Sequence, residues 1–310
     1  MSMVLVSLLM LVSVAFYIVT ERKGLGMFQL RQGPNKVGFK GILQPIADGV
    51  KLFTKEMIIP FYANKVMYLL GPVICFVCAY ILWGLFPSSY SPLVLSLGLL
   101  LFLCVSSFSV YGVFMVGWSC DSRYAFLGAM RAIAQSVSYE VFLSTCLFCP
   151  LVMLGSYSLS DCRVNNFPMV LLSQEVLVLW IICILAETNR APFDFVEGES
   201  ELVAGYMVEF GGVGFALLAL AEYSNMTFMG MLTGVLFFST FMGSVFMGSF
   251  FIAFYVVLIS YFMVWVRGVV PRFRYDLLMQ LCWQVLLPLS ICFFMFLSGL
   301  VLDVDLIFKM

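Results

Sequence analysis

The stretch 211–266 contains one charged residue, Glu222. A chain of 310 residues has too little interior to hide such a run inside a soluble globule. In hydrocarbon, a run without strand-like alternation satisfies its backbone only as helix. The rest of the chain agrees. Hydrophobic residues make up 63% and charged residues 11%, against about 25% charged in an ordinary soluble domain. These numbers place the chain in a membrane as an all-α protein.

A helix needs about 20 mostly apolar residues to cross the hydrocarbon core. Candidate spans are 3–20, 66–86, 93–117, 133–156 and 168–187, then the long run, then 281–302. The first has no basic leader and no small-residue cleavage site, so it reads as a retained span. Charge decides how often the long run crosses. Of the 16 basic residues, 14 lie in four loops at about 21–65, 118–132, 187–210 and 267–280. The positive-inside rule puts these loops on one side. Two crossings within 211–266 satisfy it. The expectation is therefore one polytopic domain, 1–310, of eight transmembrane helices with both termini on the outer side.

The absence of histidine excludes His-ligated metal, bis-His haem and a Ser-His-Asp triad. Neither GxGxxG nor GxxxxGK[ST] occurs, so no nucleotide fingerprint is present. A net charge of −1 offers no general attraction to nucleic acid. The two CxxC spacings, Cys75/Cys78 and Cys146/Cys149, lie in apolar runs and read as packing residues.

Plotted as a helix, 42–57 gathers Ile42, Ile46, Val50, Phe53 and Met57 on one side, and Gln44, Asp48, Lys51 and Lys55 on the other. That is an interfacial amphipathic helix between the first two spans. It is either a plain surface anchor or one wall of a pocket entered from the lipid. Asp48 favours the pocket, since an acid gains nothing against anionic headgroups. The third loop is acidic, with Glu187, Asp194, Glu197, Glu199, Glu201 and Glu209 against Arg190 alone. If it is helical after Pro192, Asp194, Glu197 and Glu201 share a face, and clustered buried carboxylates exchange protons near neutral pH. Glu187 has Arg190 at i+3, so a plain ion pair competes with that role. Inside the spans stand Glu140, flanked by Ser136 and Ser144 at helical spacing, and Glu222, with Asn225 one turn on. An intramembrane carboxylate is a functional candidate by default; the plainer account is a neutral acid hydrogen-bonded between helices.

Five stretches carry a resemblance: ERKGLGMFQLRQGPNKVG at 21–38, QPIADGVKLFTKE at 44–56, DSRYAFLGAMRAIAQSVSYE at 121–140, AETNRAPFDFVEGESELVAGYMVEF at 186–210 and VRGVVPRFRYDLLM at 266–279. In order and over nearly the whole chain, they resemble the first membrane chain of NADH:ubiquinone oxidoreductase, respiratory complex I, in its mitochondrially encoded form. The resemblance implies a quinone chamber at the junction with a hydrophilic arm, in the mitochondrial inner membrane. Both termini would then face the intermembrane space. Ubiquinone is the implied substrate. NADH, FMN and iron–sulfur clusters would belong to partner subunits of the hydrophilic quinone module, beside other membrane-arm subunits and lipid. Carried over by position, Glu21, Arg22, Asp48 and Arg274 would serve quinone binding. Glu140, Glu187, Asp194, Glu197, Glu199, Glu201, Glu209 and Glu222 would serve proton coupling. No residue is implied as a nucleophile or metal ligand. Two departures are Gln32, where the family pattern has a lysine, and Arg123, where a neutral polar residue is usual. Two other readings remain: a membrane subunit of a related proton-coupled hydrogenase complex, and a stand-alone ion-coupled transporter.

Overall fold

The computed structural model describes residues 2–87, 95–164, 168–194, 205–238 and 245–309. All regular elements among them are helical: α1 (Ser2–Phe28), α2 (Gln44–Thr54), α3 (Lys65–Trp83), α4 (Gly98–Ser119), α5 (Arg123–Leu154), α6 (Leu159–Val164), α7 (Gln174–Glu187), α8 (Gly212–Phe237) and α9 (Val245–Val269). A final helix starts as α10 (Tyr275–Gln280), passes through a π-helical segment at Leu281–Leu286 and continues as α11 (Leu287–Lys309).

Seven helices among the described residues are long and apolar enough to cross a membrane. The expected eighth, 168–187, is shorter than its apolar run. Pro168 and the 3₁₀ turn Met169–Leu171 consume its start, leaving the 14 residues of α7, about 21 Å of helix. In the other direction, α5 has 32 residues, about 48 Å, and overshoots a hydrocarbon core of about 30 Å. Most of the stretch read as a loop at 118–132 is therefore the opening of α5, with Arg123 and Arg131 on its first turns.

The core follows from composition. Residues 226–237 of α8 are buried on every side, as expected of a helix that is apolar all round. Around it, α3 packs on α4 and α8, α5 on α4, α7 and α11, and α1 on α8 and α9. Small residues permit the close crossings that membrane helices favour. A Cβ at Gly71 would lie 2.7 Å from Val116, and one at Gly112 would lie 2.6 Å from Cys75 Sγ. Cys75, Cys78, Cys146 and Cys149 are free and buried, which matches their reading as packing residues.

Candidate functional site

Glu21 on α1 is 5% exposed. Two arginines meet its Oε1: Arg190 Nη1 from the loop after α7 at 2.8 Å, and Arg267 Nη1 from α9 at 2.5 Å. Arg190 also lies over the Tyr223 ring of α8, 4.6 Å from its centroid. Burial works against the charged guanidinium, but Glu21, Tyr223 and Glu222 outweigh it and hold the Arg190 pKa above its ordinary value. Arg190 is thus a fixed cation joining α1, α8 and α9. The ion pair with Arg190 that competed as an account of Glu187 does not form. Glu187 is the last residue of α7, and Asn189 takes φ 50°, so i+3 helical spacing no longer applies there.

Glu187 and Glu222 instead line one internal cavity of about 90 Å³, together with Tyr206, Asn189 and Asn225. That volume holds several water molecules. Tyr206 donates its hydroxyl proton to Glu222 Oε1 at 2.5 Å. Glu187 Oε2, Asn189 Oδ1 and Asn225 Oδ1 are buried without a hydrogen-bond partner among the described residues. Glu140 on α5 is close enough to act electrostatically on Glu187. Its flanking serines do not donate to it. Ser136 Oγ donates to Ile133 O and Ser144 Oγ to Val141 O, both within α5, the usual competitor for a mid-helix hydroxyl.

On the α2 side, Arg22 Nη1 meets Asp48 Oδ2 at 2.9 Å, and Gln44 Nε2 donates to Asp48 Oδ1 at 2.8 Å. The helix spans Gln44–Thr54 rather than 42–57, and its apolar residues Ile46, Val50 and Phe53 point outward. Glu21 and Arg22 are adjacent in sequence but diverge, one into the buried knot and one to the α2 rim. Arg274 joins neither: it is exposed at the start of α10, 3.3 Å from Asp276. Asp194 is buried and pairs with Arg272 at 3.4 Å. Glu209 is exposed, and its backbone oxygen accepts the Tyr68 hydroxyl. Glu197, Glu199 and Glu201 lie outside the described residues.

Arg267, Tyr206, Tyr223 and Gln135 were not singled out by sequence pattern. Tyrosine is ordinary in apolar runs, and Arg267 reads as one of many inner-face cations. Gln135 did carry a signal, a lone amide on an apolar stretch. It is fully buried on α5, and its Nε2 donates to Ala186 O at 2.9 Å and Phe193 O at 3.0 Å.

The chain matches the NADH dehydrogenase family model over residues 1–298. It is 46% identical over 299 residues to NADH-ubiquinone oxidoreductase chain 1 of Heterololigo bleekeri, covering 94% of this chain and 95% of that one. It is 44% identical to the chain of the same name from Aedes aegypti, over 93% and 91% of the two. Identity to the Metridium senile chain is 42%, over 96% and 91%. With its buried acids, its arginine-clamped Glu21 and similarity along nearly its full length, the chain belongs to the family of NADH-ubiquinone oxidoreductase chain 1.

Proposed function

We propose that this chain forms the membrane-side quinone chamber of NADH:ubiquinone oxidoreductase and couples quinone reduction to proton translocation. The observation that carries the reading is the pair Glu187 and Glu222, facing one cavity of mixed polar and apolar lining inside an apolar bundle. Carboxylates in such surroundings are expensive and mark proton paths. In this reading the chain crosses the mitochondrial inner membrane eight times, with both termini in the intermembrane space. NADH, FMN and the iron–sulfur clusters sit on hydrophilic partner subunits, and other membrane-arm subunits carry the response onward.

The quinone enters beside α2 and passes the Arg22–Asp48 rim. Its reduction places charge near the arginine knot of Glu21, Arg190 and Arg267. In a low-dielectric interior that charge acts over many ångströms. It shifts the protonation of Glu187, and Glu140 and Glu222 pass the change into the bundle. The acids Asp194, Glu197, Glu199, Glu201 and Glu209 belong to the receiving end of this response, and Arg274 to the quinone approach.

Tagging the chain tests the assignment. It should co-purify with flavin and iron–sulfur proteins, and the purified chain by itself should oxidise no NADH. Ion transport by the lone chain would contradict it. The rim gives a sharper test. The Arg22–Asp48 pair is exposed, so losing it costs about 1 kcal/mol or less. Asp48→Asn should therefore assemble, slow quinone reduction severalfold and leave NADH oxidation by artificial acceptors unchanged. Equal loss of both activities would remove Asp48 from the quinone route.

A further inference from the structure

Glu187 and Asp194 stand at the two ends of a non-helical turn. α7 ends at Glu187, and the last carbonyls of a helix have no intrahelical donor. From there the chain turns through Asn189, at φ 50°, and reaches Asp194 through turns and a bend. Thr188 N and Asn189 N close the end of α7 on Ile184 O and Ala186 O, at 3.0 and 3.3 Å, and the Arg190–Glu21 and Asp194–Arg272 pairs anchor side chains of the turn. Three further backbone bonds shape the rest. Arg190 N donates to Leu185 O at 3.1 Å, Phe193 N to Arg190 O at 2.8 Å, and Phe273 N to Pro192 O at 3.1 Å.

Gln135 spans this turn from outside. One amide nitrogen binds Ala186 O, immediately before Glu187, and Phe193 O, immediately before Asp194. Both its N–H groups are used, one on each end of the turn, and its burial is complete. We propose that Gln135 is a positioning residue for proton coupling: its amide clamps the two ends of the 187–194 turn, fixing where Glu187 and Asp194 present their carboxyls. This rests on the coupling role proposed above for those acids.

The arrangement is economical in motion. Gln135 lies one turn and a residue before Glu140 on the same helix, so α5 carries both Glu140 and the clamp that sets Glu187. A shift of α5 moves Glu140 and the Glu187 backbone together, and their relative placement is preserved. Without the clamp, Phe193 O loses the Gln135 donor while Ala186 O keeps the weaker bond from Asn189 N at 3.3 Å, and the Phe193 end of the turn relaxes toward other donors. Displacing a reacting group by about 1 Å costs up to about a hundredfold in rate.

The test uses the assembled complex in membranes. Gln135→Met keeps the volume and removes both donors. It should leave NADH oxidation by artificial acceptors unchanged, lower quinone-linked kcat about tenfold or more and leave the quinone KM unchanged. Thr145→Val is the control. It removes a part-buried hydroxyl of the same helix that meets Ser290 Oγ of α11 at 2.8 Å, remote in sequence from the turn. It should retain kcat and pumping. Gln135→Asn is one methylene shorter and reaches one carbonyl at a time, so it should assemble with intermediate turnover. If Met prevents assembly, Asn carries the decision: reduced kcat at normal KM supports the clamp, and wild-type kcat overturns it. Wild-type turnover in Gln135→Met alongside a loss in Glu187→Gln overturns the clamp but keeps the acid's role. Wild-type turnover in both removes Glu187 from the coupling path itself.

Discussion

Arg190→Met should sharply reduce the amount of assembled complex. The substitution strips a buried carboxylate of one of its two arginines, leaving Glu21 with Arg267 and the Tyr223 hydroxyl. Breaking a buried pair from one side costs about 3–5 kcal/mol, because the surviving charge stays desolvated. The lost contact with the Tyr223 ring adds about 1 kcal/mol. Arg190→Lys should recover only part of this, since an ammonium cannot both lie flat on the ring and reach the carboxylate as a planar fork does. The double variant Glu21→Gln with Arg190→Met should be less damaging than the sum of the singles, because the two groups share one interaction. Native gels and thermal inactivation of the complex measure all three. Normal assembly and unchanged inactivation temperature in Arg190→Met would show that the knot carries no structural weight.

Much of the fold was legible because one physical quantity dominates it. Long apolar runs specify helices in hydrocarbon, and the charge of their loops orders them. The reading failed where local backbone chemistry intervened. α7 is short because Pro168 and the Met169–Leu171 turn start the run in another conformation. Arg190 left Glu187 because the helix ends between them, and the partner it found, Glu21, is distant in sequence. The acids themselves were visible one by one, since a carboxylate in an apolar run is conspicuous. Their grouping was not. That Glu187 and Glu222 share a cavity depends on how α7 and α8 pack, which periodicity does not encode. The serines beside Glu140 show the limit of spacing: it placed them correctly, but each hydroxyl donates to its own helix.

Glu140→Gln should assemble normally and lose most quinone-linked turnover and pumping, whereas Glu140→Asp should retain some. Glu140 is the only charge between Arg131 and Asp161. It has no hydrogen bond or ion pair among the described residues, and it acts electrostatically on Glu187. An ionised group at such depth costs about 3 kcal/mol or more, so a structural role alone would favour the amide. Gln keeps size and hydrogen bonding, costs nothing in charge and cannot titrate. Stability and function are therefore expected to move in opposite directions. Removal of a positioned proton-transfer group lowers rates by about a hundredfold or more. The decisive measurement follows assembled complex, quinone reduction and proton pumping in the same membranes carrying Glu140→Gln. Wild-type assembly and NADH oxidation by artificial acceptors are expected, with quinone reduction and pumping reduced together by about a hundredfold or more. Wild-type quinone reduction and pumping in that variant would contradict the coupling role of Glu140.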